Sequence, residues 1–290
     1  MAEPTLTRLR ALDGSPGEQF EFALRVVERE RNPDAVIAAL AVIEAAEEER
    51  ARPVLLRRYE SCDQDGARRD PGGAIRIAVL RALQPIAHPE DAGLFARAAS
   101  TYEHRFGEVA GDLRAAGLLG LSAVDANLAG FHAVRLLYDP HMSRMSGEPS
   151  VSAARVLGAI GQPLPLYACV VRESDLPGEV LGECLRGLKE VPAALVPSLI
   201  ARYQDSRDEV VLLGLYDLLL EHPARGEFAS VVREFLRTTD LLDLYRSLIA
   251  TLVAGRDPGW LEELRRMAAA ERHPAKAAIL RDALPDRRRR

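Results

Sequence analysis

The chain of 290 residues is poor in the side chains that usually carry chemistry. It has only three cysteines, and Cys62, Cys169 and Cys184 are too irregularly spaced to form a disulfide framework. That usage fits a reducing cytosol, so a cytoplasmic location is expected. Cys169 and Cys184 lie in apolar text and read as small buried hydrophobes. Cys62 falls in a polar stretch and reads as exposed. The N-terminus lacks a basic segment followed by an apolar one, so no signal peptide is expected. The longest uncharged run, 156–171, is shorter than the ~20 residues of a membrane helix, and it contains Gly158, Gly161, Pro163 and Pro165. No membrane association is expected.

A net positive charge is lacking as well. The formal net charge is −5, and four of the cations are Arg287, Arg288, Arg289 and Arg290; setting those four aside leaves −9. An acidic body argues against nucleic acid as a partner, because that binding rests on neutralising phosphates with Lys and Arg. Neither His-Glu-x-x-His nor Cys-x-x-Cys occurs, and no phosphate loop, nucleophile elbow or dinucleotide fingerprint does. Asp63-x-Asp65-Gly66 opens like a calcium loop, but its register puts Gly72 where a bidentate Glu is required. The expectation is a chain with no catalytic residues, no cofactor and no metal, and not an enzyme. Three of the six histidines, His88, His222 and His273, precede proline at helix junctions. An imidazole there suits the last carbonyls of the preceding helix. His132 and His141 flank Tyr138 and Asp139 and leave a small polar site open.

What is abundant is helix-forming text: 48% hydrophobic and 28% charged residues with 5% aromatics. One phrase recurs with drifting spelling. It is clearest as Ala153-Ala154-Arg155-Val156-Leu157-Gly158-Ala159-Ile160-Gly161, with relatives at 75–83, 115–121 and 210–216. Self-similarity at a period of roughly 30–40 residues marks stacked helical repeats. The pattern predicts an opening cap helix within 1–32, a repeat array over 33–271, and a closing helix with a basic tail over 272–290. Within the array, helices pair as 33–46 with 52–61, 74–86 with 91–103, and 108–121 with 125–138. The pairing continues as 150–160 with 164–173, 178–190 with 193–204, 208–221 with 226–238, and 241–254 with 259–271. The fold expected is all-α, a solenoid of about seven helical hairpins. Gly120, Gly158 and Gly214 each cost ~1 kcal/mol of helix propensity, which implies that close helix packing offsets it.

Second helices carry their own mark. Tyr59, Tyr102, Tyr138 and Tyr203 precede Glu60, Glu103, Asp139 and Gln204. Such rings either seal hairpin ends or form a row of anchors on the inner surface, where Arg58, Arg135 and Arg202 stand beside them. Two connections, 62–73 and 139–149, exceed the usual ~2–8 residues. Each is either a tolerated insertion or a protruding binding loop, and the second holds Met142 and Met145, whose flexible thioethers suit adaptable surfaces. The candidate partner-binding set is therefore Arg58, Tyr59, Tyr102, Arg135, Tyr138, Met142, Met145, Arg202 and Tyr203.

The phrase at 153–161 resembles the Ala-Ala-x-Ala-Leu-Gly-x-Ile-Gly core of bacterial HEAT and HEAT-like repeats. Ile75-Arg76 is similar to the Val-Arg pair that opens it, and Leu199-Ile200-Ala201-Arg202-Tyr203-Gln204-Asp205 looks like the close of the second helix. The chain departs at Ser150 or Ser152, near the expected Arg, and at Pro85. The resemblance covers about 33–271 and implies a right-handed superhelix of hairpins. It also implies a protein-binding scaffold or adaptor that works through a concave face, with a protein as its partner. Two other roles occur among similar proteins. One is nucleic-acid binding of the alkylpurine DNA glycosylase kind, against which the acidic body and the lone Trp260 stand. The other is that of a phycobilin-lyase-like subunit, for which no bilin-handling residue set is present.

Overall fold

Runs of Ala, Leu, Arg and Glu broken by Pro, Gly and Asp should fold as short helices joined by tight turns, and they do. The computed structural model describes residues 2–104, 107–172 and 176–284, so the Arg287–Arg290 tail lies outside the described residues. Among these residues there are 18 α-helices and no strand. The chain divides into two compact units, 1–166 and 167–290.

The first unit contains α1 (Ala2–Ala11), α2 (Pro16–Arg29), α3 (Pro33–Ala46), α4 (Arg52–Asp63), α5 (Gly66–Arg69), α6 (Ala74–Leu83) and α7 (Ala92–Ala98). It continues through α8 (Gly111–Val124), α9 (Ala126–Leu137), α10 (Ser150–Ala159) and the start of α11 (Pro163–Val171). The opening segment thus holds two helices rather than one. Helices α3, α6, α8 and α10 contact one another in succession, and α4, α7 and α9 pack against that row. Capping follows the punctuation: the Asn32 side chain accepts the backbone N–H groups of Asp34 and Ala35 ahead of Pro33. Ser150 is not a cap; its buried hydroxyl donates to the Leu136 carbonyl and ties α10 to α9. Cys62 is buried on α4 rather than exposed, because its helix turns it toward the core, and burial pushes its thiol pKa up. Helix α7 stops at Ala98, short of the expected 103, where the Thr101 hydroxyl takes the Arg97 carbonyl.

The second unit holds the rest of α11, then α12 (Gly178–Arg186), α13 (Val196–Tyr203), α14 (Glu209–Glu221) and α15 (Arg225–Thr238). It ends with α16 (Leu242–Ala254), α17 (Pro258–Ala270) and α18 (Pro274–Ala283). Here α12, α14, α16 and α18 contact one another in succession; α13 and α15 pack on α14, and α17 packs on α16 and α18. The His-Pro imidazoles serve the turn that follows rather than the helix before. His222 Nδ1 accepts the Ala224 N–H, which leaves Nε2 as the donor to the Val191 carbonyl, and His273 Nδ1 accepts from Lys276.

Leu157 sits on α10 with no exposed surface. Leu157→Asp is expected to lower the stability of the first unit by about 4 kcal/mol or more, since the carboxylate has no partner there. A thermal melt is the check; an unchanged midpoint would place Leu157 outside the core.

Candidate functional site

The first unit is organised by two buried guanidinium groups, on the third residue of α6 and the fourth of α8. Arg76 binds Asp70 at 3.2 Å, Asp63 at 3.3 Å and Glu103 at 2.6 Å. Arg114 binds Glu108 at 2.7 Å and Asp139 at 3.0 Å, donates to the Thr101 carbonyl, and lies 4.1 Å from the Tyr102 ring centroid. Burial opposes the charge on Arg114, but the bonds to Glu108 and Asp139 more than offset it, and its pKa is raised. Burial likewise opposes charge on Glu108, yet Arg114 and the Ala110 N–H hold it below the ordinary carboxylate value. The equivalent position on α10 is Ser152, whose hydroxyl and N–H bond Glu148. With no guanidinium there, burial dominates and Glu148 is pushed up instead.

The two long connections are therefore not simple protrusions. The first folds into α5 and a 3-10 turn at Pro71–Gly73 that delivers Asp70 to Arg76. The second begins with Asp139, which is buried against Arg114, and ends at a cis Glu148–Pro149 bond. Between those ends Met145 is 94% exposed.

A surface cluster is built on the Arg114 network. The Tyr102 hydroxyl donates to Asp139 Oδ2 at 3.0 Å, and Asp139 Oδ1 accepts the His141 N–H at 2.8 Å. The His141 ring meets Tyr102 edge-on at 5.9 Å and His104 at 5.5 Å. His141 pairs with these rings, while His132 lies 3.4 Å from Arg135; burial and then the Arg135 charge lower the His132 pKa. The His104–His141 pair was not foreseen, although both histidines follow a Tyr-acid pair one repeat apart. Beside this cluster, α9 presents Phe131, Val134 and Tyr138 to solvent at i, i+3 and i+7, the spacing of one helix face. Phe131 is 72% exposed. Among the described residues no group of three or more His, Cys, Asp or Glu is placed to hold a metal.

The expected tyrosine row divides in two. Tyr59 is fully enclosed in α4 and its hydroxyl has no partner, so burial drives its pKa upward. Tyr203 is 8% exposed and donates to the Val170 carbonyl at 2.6 Å. Both are core residues and leave the contact set, because they face inward from within their helices. Tyr102 lies in the loop beyond α7 and Tyr138 at the C-cap of α9, and both are exposed. Arg58 is half-buried. Arg135 is exposed and donates to the Ala99 carbonyl at 2.7 Å, and Arg202 is exposed and holds the Val171 and Arg172 carbonyls. Met142 is half-buried beside exposed Met145. The structure thus gathers Tyr102, Arg135, Tyr138, Met142 and Met145 in the first unit, while Arg202 and Tyr203 belong to the second.

Compared with known proteins, the chain matches no family model, no curated protein and no solved structure. No described helix is long and apolar enough to cross a membrane.

Proposed function

We propose that this chain is a non-catalytic protein-interaction scaffold, a right-handed solenoid of about seven HEAT-like hairpins whose partner docks on the α9 face. The observation that carries the reading is the exposed stripe of Phe131, Val134 and Tyr138, which ends beside the Asp139 that binds Tyr102. Scattered apolar residues on a surface need no explanation, but a contiguous helical stripe of large ones marks an interaction face. The Arg114–Asp139–Tyr102 bonds hold its neighbours in place, which lowers the entropy lost on binding. Support for the repeat reading comes from the successive contacts of first helices within each unit and from the drifting Ala/Leu/Gly phrase.

The test is site-specific photo-crosslinking in lysate of the source cell, from position 131 and, as control, from the exposed first-helix position Glu44. Position 131 is expected to trap a discrete protein that position 44 does not, and Phe131→Ser with Val134→Ser is expected to weaken its capture by about tenfold or more. Identical products from both positions, or crosslinks to nucleic acid, would refute the reading.

A further inference from the structure

We propose that the groove between α15 and α17 docks an acidic peptide segment carrying an apolar anchor. The groove measures about 670 Å³ and is lined by Arg233, Glu234 and Arg237 from one wall and by Glu263 and Met267 from the other, with Glu271 and Arg272 at its end. It lies wholly within the second unit and does not depend on the α9 face.

The charges lining this groove are not spent equally. Each of the three carboxylates has at least one partner. Arg237 grips Glu234 through both oxygens, at 2.7 and 2.8 Å; Arg266 holds Glu263 at 2.7 Å; and Glu271 accepts the His273 N–H at 2.8 Å. Two guanidinium groups are not spent. Among the described residues neither Arg233 nor Arg272 has a carboxylate partner, and Arg233 instead lies 5.4 Å from the Trp260 ring centroid. Arg233 and Arg272 therefore leave donor capacity in planar forks, which match carboxylates bidentately. Met267 and Ala270 supply an adaptable apolar floor between these forks. Arg and Trp are also the side chains most enriched where binding energy concentrates. A nucleic-acid backbone fits less well, because its phosphates and sugars offer no apolar side chain to cover Met267 and Ala270. Helix α15 offers room beyond one anchor: Ser230 and Glu234 also line a second groove of about 500 Å³ on its other side, toward Gln204, Tyr216 and Phe235.

Fluorescence anisotropy on the full chain tests this. The probes are a short fluorescein-labelled peptide alternating glutamate and leucine, a lysine–leucine counterpart and labelled oligothymidylate. The glutamate peptide is expected to bind and the other two are not. Arg233→Ala with Arg272→Ala is expected to weaken binding by about tenfold or more, and Arg237→Ala, whose guanidinium is already paired, by much less. Both arginines are exposed, so the double variant should keep the parent melting curve. Arg233→Lys with Arg272→Lys keeps the charge but loses the fork and should recover only part of the affinity. The proposal is overturned if the glutamate peptide fails to bind, if the lysine peptide or the oligonucleotide binds as well, or if the double variant binds like the parent.

Discussion

Gly214→Ala is expected to destabilise the second unit by about 3 kcal/mol or more, even though alanine is the better helix former. Two effects oppose each other. The exchange gains ~1 kcal/mol of helix propensity. Against it, a Cβ on α14 would overlap the Gly182 carbonyl oxygen and lie 2.6 Å from the Gly182 Cα on α12. Those atoms are backbone, so no side chain can swing aside; the two helices must separate. Gly182 is matched in turn, since a Cβ there would stand 2.6 Å from the Val210 carbonyl oxygen. Gly226 on α15 is the internal control, because a Cβ there meets nothing within 4 Å. Gly226→Ala should gain up to ~1 kcal/mol. Denaturant unfolding of both variants decides the matter: a Gly214→Ala protein as stable as the parent would mean that α12 and α14 do not cross there.

Arg114→Met should cost about 3–5 kcal/mol at neutral pH, the range for removing one partner of a buried ion pair. Methionine fills most of the volume but leaves Glu108 and Asp139 charged and unpaired. The loss should shrink in acid, and the sign follows from Glu108. Its folded pKa lies below the ordinary glutamate value of 4.5, so in the parent its contribution is present above that value and is lost as pH falls through the lower folded pKa. In the variant, burial acts on Glu108 against only the Ala110 and Glu103 N–H groups, the folded pKa rises, and protonation relieves the unpaired charge before the parent loses its own pair. Stability curves for the two proteins should therefore converge between neutral pH and about pH 4. Parallel curves would show that Arg114 is not what holds Glu108 ionised. Tyr102 gives a second readout, since its ring and hydroxyl both rest on this network.

Much of the helical layout could be read from local text. Proline at the first turn, capping side chains and the Ala/Leu phrase act within a few residues, so α3 and α14 fall within a residue or two of the expected 33–46 and 208–221. The close helix crossings were also visible, because Gly120 and Gly214 cost propensity with no local return; a Cβ at Gly120 would overlap the Phe95 ring of α7. The acid six residues before a first-helix arginine, Asp70 to Arg76 and Glu108 to Arg114, is a written pattern too. The Tyr-acid repeat holds the other half of these networks: the tyrosine drew attention, while Glu103 and Asp139 beside it make buried bonds to Arg76 and Arg114.

Composition and spacing by themselves determined that the chain is helical, where most of its helices break, and that close crossings are built on glycine, because propensity, capping and turn chemistry are short-range. Only tertiary structure decided which of four similar tyrosines meets water. Tyr59 and Tyr102 are spelled alike, yet one lies inside α4 and the other beyond the end of α7, since α7 closes early at Ala98. Tertiary structure also brought His104 to His141, Arg114 to Asp139 and Gly182 to Gly214. Each of these pairs spans more than 20 residues, and burial, charge pairing and steric fit at that range depend on which helices stack, a choice that no local rule encodes.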